Sequence, residues 1–176
     1  MKYRLTPLLP VALGMILLAA CPSLARAKYS IREEIDIDAS PGKAWAVLTD
    51  LPAWPDWNPF IRYARGTLEK GNFIDVLVQA PGAKPIKGKG KVLVLDPPHE
   101  MVWMATVGGS WIFRGEHHFA LEPLPGGKVC FVQSEYFSGM LAPFLHGKVN
   151  RETKPGFVEM NAALKQRVEG TKGSIR

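Results

Sequence analysis

Residues 111–122 read Trp111-Ile112-Phe113-Arg114-Gly115-Glu116-His117-His118-Phe119-Ala120-Leu121-Glu122. Trp111, Phe113, His117, Phe119 and Leu121 share one parity, and Arg114, Glu116, His118 and Glu122 share the other. Strict alternation of this kind marks a strand with one apolar and one polar face. Working outward, the same signal recurs on both sides. Ile61–Leu68, Asn72–Gln79, Ile86–Leu95 and Met101–Val107 precede it, and Val129–Phe137 follows it. Between them stand Lys70-Gly71-Asn72, Ala80–Pro85, Asp96-Pro97-Pro98, Gly108-Gly109 and Pro125-Gly126-Gly127, all turn chemistry. In Ile86–Leu95, Lys87, Lys89 and Lys91 lie opposite Gly88, Gly90, Val92 and Val94, and Met101–Val107 is apolar on both parities, as a strand covered on both faces would be. Short turns between successive strands predict antiparallel pairing.

The ends of the chain supply helices. Tyr29–Ile37 alternates as a strand, with Ile31, Ile35 and Ile37 on one parity. Ser40-Pro41 then opens a helix with an N-cap and a proline at the first helical position, and Pro52 predicts its end near Asp50. Met140–Leu145 is apolar and reads as a hinge or a short helix. From Pro155 to Val168, Phe157, Met160, Leu164 and Val168 recur at helical spacing, and Gly170 stops the run. The predicted class is α+β: a curved antiparallel sheet of about seven strands wrapped on a long C-terminal helix.

Residues 1–27 read as an address rather than a structural element. Lys2 and Arg4 precede an apolar run from Leu8 to Ala20, too short for an ordinary span, and Ala25-Arg26-Ala27 fits a signal-peptidase site. The expectation is export, to a bacterial periplasm. Leu18-Ala19-Ala20-Cys21 also fits a lipobox, so the alternative is a leader ending before Cys21 and a lipid anchor on that cysteine. Residues 28–170 would form the folded domain and 171–176 a frayed polar tail.

The chain carries 22 Lys+Arg and 16 Asp+Glu. Loss of residues 1–27 removes Lys2, Arg4 and Arg26 and no acid, leaving 19 bases against 16 acids, a charge of +3. That is no nucleic-acid footprint. Cys130 then has no disulfide partner in the same chain and reads as a small hydrophobe within a strand.

The order of elements and several local stretches resemble the START-like helix-grip (SRPBCC) superfamily, in its polyketide cyclase/dehydrase and lipid-transport branch. The residues that carry the resemblance are Ile35–Pro41 leading into Trp45–Asp50, then Trp54–Phe60, Gly115–Phe119, Glu135–Gly139 and Gly156–Lys165. The resemblance implies an apolar cavity between sheet and C-terminal helix, a small hydrophobic ligand (lipid, isoprenoid or polyketide-like), and no cofactor or metal. The superfamily includes both carriers and cyclases, so a binding protein and a cyclase/dehydratase-type enzyme both stand.

Candidate ligand residues follow from the faces. His117 points to the apolar side of its strand, where it is either a core histidine, a ligand hydrogen-bonding group or an acid–base. Periodicity leaves Glu135 on either face; Tyr136 takes its place if the parity is opposite. Trp111, Phe113, Phe119 and Phe137 would line the sheet side, and Phe157, Met160, Asn161 and Leu164 the helix side. Trp54, Trp57 and Asn58, held among Pro52, Pro55 and Pro59, read either as an aromatic entrance or as a stiff corner plugging the core. Adjacent His117 and His118 point to opposite faces, so one metal does not readily take both. Lys84, Lys87, Lys89 and Lys91 form a like-charged row, either a solvated edge or a contact for an anionic membrane surface.

Overall fold

The computed structural model describes residues 29–170, and the leader with Cys21 and the tail 171–176 lie outside them. The elements run β1 (Tyr29–Ile37), α1 (Pro41–Thr49), a single turn at Leu51–Ala53, α2 (Trp54–Trp57), β2 (Ile61–Arg65), β3 (Phe73–Val78), β4 (Ile86–Asp96), β5 (Glu100–Val107), β6 (Phe113–Leu124), β7 (Lys128–Ser138) and α3 (Ala142–Glu169). All strands join one antiparallel sheet in the order β1-β7-β6-β5-β4-β3-β2. The chain therefore starts at one edge, crosses to the other through α1 and α2, and returns strand by strand. α3 closes the curled face, giving the α+β helix-grip architecture.

Ser40 caps α1 by accepting from the Lys43 N–H, and the helix ends with Asp50 as its cap, ahead of Pro52. The C-terminal end of α3 is fastened to β1. Lys165 Nζ donates to the Asp36 carbonyl, and the Glu169 carboxylate accepts from the Asp38 N–H and from Lys165. Gly170, in the left-handed region at φ 74°, terminates the helix.

Four expectations need correction. α3 begins at Ala142, not near Pro155, and takes in Met140–Leu145's apolar stretch from Ala142 onward. Proline inside a helix removes one backbone hydrogen bond; Pro155 is nevertheless carried within a 28-residue helix, because both flanking halves pack or line the sheet face. β6 starts at Phe113. Trp111 sits in a turn, where Ile112 and Phe113 donate back to the Gly109 carbonyl, and it is 67% exposed. In β4, a register shift between Val92 and Val94 buries Val92 and leaves Val94 exposed, so the two do not share a face as uninterrupted alternation predicts. In β5 only Met101, Val102 and Trp103 are buried; Thr106 and Val107 run out into solvent.

The core concentrates where the C-terminal half of α3 meets the sheet. Phe157, Met160, Leu164 and Val168 are buried there, against Phe119, Leu121, Phe131 and Trp54. Gly156 is the closest approach: a methyl built on it would overlap the Phe60 ring. The expected outcome for Gly156→Ala is a loss of about 1–3 kcal/mol by overpacking, read as a lowered urea midpoint; an unchanged midpoint would show that the helix has room to lift.

Candidate functional site

Above that seal, α3 and the sheet part to leave a cavity of about 420 Å³. Ligand cavities typically hold about 300–1,000 Å³. Its sheet side is built by Trp103 and Ala105 of β5, Phe113 and His117 of β6, and Glu135 and Phe137 of β7. Val76, Val78 and Ile86 close the far side. The helix side is Leu145, Val149, Lys148, Glu152 and Thr153, all from the half of α3 before Pro155, with Leu141 just ahead of it. Ile86, Val107 and Leu141 are exposed as well as lining, and so mark the mouth. Hollows of similar size near Pro52–Tyr63–Arg65 and near Tyr63–Asp75–Lys87 contain none of the sequence-predicted site residues.

The cavity's chemistry is a cross-strand pair. His117 on β6 is in register with Glu135 on β7, so both project from one face of the sheet. The His117 ring is stacked between Phe119, at 4.1 Å between centroids, and Phe157, at 4.8 Å, with Trp103 edge-on at 5.7 Å. Its Nε2 lies 2.8 Å from the Gln133 amide nitrogen, which places the imidazole proton on Nδ1. Nδ1 has no partner among the described residues. Burial, aided by neighbouring His118, pushes the His117 pKa down to about 3. Burial alone pushes Glu135 up to about 8. Both groups are therefore mainly uncharged at neutral pH: the histidine as a neutral imidazole, the glutamate as a carboxylic acid.

Gly115 makes room for that acid. A Cβ at residue 115 would stand 2.5 Å from Glu135 Oε1. Tyr29 lies close behind; its hydroxyl is buried without a partner, and burial together with the Glu135 charge raises its pKa to about 12.

The remaining predicted site residues divide clearly. Phe113 and Phe137 line the cavity with His117 and Glu135. Phe119 and Phe157 clamp the His117 ring from the core side and are not part of the wall; Met160 and Leu164 are fully buried below. Tyr136 is excluded from the cavity: with Glu135 facing in, it faces out, 42% exposed, edge-on to His118. Trp111 is excluded by its place in the turn. Asn58 is a corner brace. Its Oδ1 accepts from the Phe60 and Ile61 N–H groups, and its Nδ2 lies 3.3 Å from Met160 Sδ. Trp57 is half-buried against the core beside Trp54, so this segment plugs the core and does not form an entrance. Asn161 is buried in α3, away from the wall, with neither side-chain atom hydrogen-bonded. Cys130 is half-buried, and burial and Asp36 hold its thiol protonated, its pKa raised to about 11. No three metal-ligating side chains gather among the described residues.

Sequence reasoning missed Phe60, Trp103, Gln133 and the whole α3 wall. Trp103 was within reach, since the antiparallel order places β5 beside β6. Leu145, Lys148, Val149 and Glu152 were hidden because only two of the four are apolar and Pro155 interrupts the pattern.

The chain belongs to the family of polyketide cyclase/dehydrase and lipid transport proteins, whose profile matches residues 28–169. No curated protein matches the sequence. Among solved structures, the chain is similar to the Zhui aromatase/cyclase from Streptomyces sp. R1128 at 12% identity, covering 83% of this chain and 96% of that one, with a TM-score of 0.68. It is also similar to norcoclaurine synthase from Thalictrum flavum, at 20% identity, covering 82% and 95%, with a TM-score of 0.63. A START superfamily protein from Mycobacterium smegmatis matches at 21% identity over 80% and 97%, with a TM-score of 0.60. These likenesses establish the shared fold.

The Glu135 shift has a sign that can be measured. A carboxyl whose folded pKa lies above its ordinary 4.5 favours folding most at low pH, and that contribution is lost as pH rises to about 8. Glu135→Gln is expected to abolish this slope, and to gain up to a few kcal/mol over the parent above pH 8. Parallel urea curves for parent and variant across that window would contradict the burial of Glu135.

Proposed function

We propose that the protein carries a small hydrophobic molecule with one uncharged hydrogen-bonding end, held in the cavity between the sheet and the first half of α3. The observation that carries this reading is the His117–Glu135 pair at the inner wall of an otherwise largely apolar space. A neutral carboxylic acid both donates and accepts, and Nδ1–H of a neutral imidazole donates. Together they suit a carbonyl, hydroxyl or amide on the guest, whereas a carboxylate guest would find Glu135 repulsive once ionised. The apolar walls would take the hydrocarbon, and lipids, isoprenoids and polyketide-like compounds all fit that description. With the N-terminal leader, we further propose that carriage takes place outside the cytoplasm, in a bacterial periplasm, either free or tethered through a lipidated Cys21.

A second reading rests on the same pair: proton transfer to a bound substrate, as in a cyclase or dehydratase. Its support is the register that sets an acid beside an imidazole on one face. General acid–base catalysis works best with a pKa near the working pH. Glu135, at about 8, meets that condition; His117, at about 3, is too weak a base and would orient rather than accept a proton. Carriage asks nothing of His117 that its surroundings withhold, and is the better-supported reading.

Native mass spectrometry of protein purified without detergent tests it. The expected spectrum shows added mass that is lost in Val149→Trp, which fills the cavity from the helix side, while the variant keeps its circular dichroism. A parent that retains no mass and takes up no apolar fluorescent dye would refute carriage. A guest converted by the parent but recovered intact from Glu135→Gln would favour the enzymatic reading.

A further inference from the structure

Near the mouth of the cavity stand large apolar side chains that no other described residue covers. Trp111 is 67% exposed, Met140 59% and Phe144 80%, and Val107 and Ile86 across the opening are 65% and 63% exposed. Backbone hydrogen bonds hold the segments that carry them together. The Met140 N–H donates to the Trp111 carbonyl, the Leu141 N–H to the Ile112 carbonyl and the Phe144 N–H to the Leu141 carbonyl, while Leu141, Val107 and Ile86 line the same opening. Trp111 is the only exposed tryptophan among the described residues. Exposed apolar side chains concentrated in one patch are a mark of an interaction site.

The segments around the patch are rich in bases. Three segments build the mouth: residues 80–91, 101–114 and 138–151. They carry Lys84, Arg114, Lys148 and Arg151, with Lys87, Lys89 and Lys91 on the face of β4 turned away from the cavity, and no aspartate or glutamate. Arg114 is paired with Glu116 and Lys89 with Asp75, 3.7 Å away. Lys84, Lys87, Lys148 and Arg151 make no ion pair among the described residues. Acids stand close by, Glu135 and Glu152 in the cavity wall and Asp75, Asp96, Glu100 and Glu116 on the neighbouring strands.

We propose that this rim is a docking surface for an anionic lipid bilayer, with Trp111, Met140 and Phe144 entering the headgroup region and Lys84, Lys148 and Arg151 meeting lipid phosphates. Tryptophan favours the bilayer interface, and basic residues near an anionic surface add binding energy that salt weakens. No helix among the described residues is long and apolar enough to cross a membrane. Docking here turns the mouth toward the lipid, and a hydrophobic guest would enter or leave without crossing water. The inference concerns the outer rim and does not require that the cavity be filled.

Sedimentation with vesicles of equal parts phosphatidylglycerol and phosphatidylcholine, and of phosphatidylcholine alone, tests it on the full chain. Binding to the anionic vesicles is expected, about tenfold weakened by Lys84→Glu with Arg151→Glu, neither of which lines the cavity. It should also be lost in Phe144→Asp and reduced by added salt. Tryptophan emission should shift to the blue on the anionic vesicles, and the shift should vanish in Trp111→Phe. Equal binding by parent and rim variants would overturn the proposal, because another segment, such as the apolar leader, would then be responsible. So would equal binding to both vesicle types, no binding to either, or self-association abolished by Phe144→Asp in place of vesicle binding. Because the rim variants leave His117, Glu135 and Val149 intact, ligand retention in the same samples separates failure of this proposal from failure of carriage.

Discussion

The contact on which the structure depends is the seating of the second half of α3 on the curled sheet. Phe157, Met160, Leu164 and Val168 are buried there with essentially no exposure, and the helix end is tied to β1 through Lys165 and Glu169. Burial of side chains of this size is worth about 1.5–3 kcal/mol each. Because α3 is one continuous helix from Ala142 to Glu169, the seating of its second half also sets where its first half runs over the sheet. Pro155 and Gly156 mark the change. Below them the helix is core; above them Leu145, Val149 and Glu152 face open space. The cavity thus lies beneath the first half of α3, and its closed end is the buried cluster of Phe157, Met160 and Leu164.

That geometry also sets the electrostatics. His117 is held between Phe119 and Phe157, the latter on the seated part of α3, and so lies at the border of core and cavity. Glu135 stands one strand over, where Gly115 leaves space for its carboxyl group. Water is scarce at both positions, and each group is pushed toward its neutral form. Two titratable residues side by side need not form an ion pair. Here desolvation dominates at both groups, so the sheet side of the cavity keeps hydrogen-bonding capacity without fixed charge, while Lys148 and Glu152 stand on the helix side.

Much of this was legible in the sequence, for identifiable reasons. β6 announced itself because one face is core and the other solvent, so His117 could be oriented from parity alone. β7 did not, since Val129, Phe131, Val132 and Phe137 are buried on both parities, which left Glu135 and Tyr136 interchangeable. Trp111 has the parity of the strand it precedes, and only the hydrogen bonds of the Gly109 turn reveal that it lies outside it. The first half of α3 was the hardest to read. Its inner face looks onto a cavity rather than a core, so selection for burial is relaxed and Lys148, Glu152 and Thr153 stand where a packed helix would carry leucines. A helix that lines empty space lacks the very periodicity by which helices are found.

The central claim is that this space exists and holds a guest. An experimentally phased electron-density map of protein purified without detergent tests it most directly. The account predicts continuous density running from the opening at Leu141 to within hydrogen-bond distance of His117 Nδ1 or the Glu135 carboxyl. A map in which the first half of α3 has settled onto Trp103 and Phe113, leaving no interior volume, would contradict it.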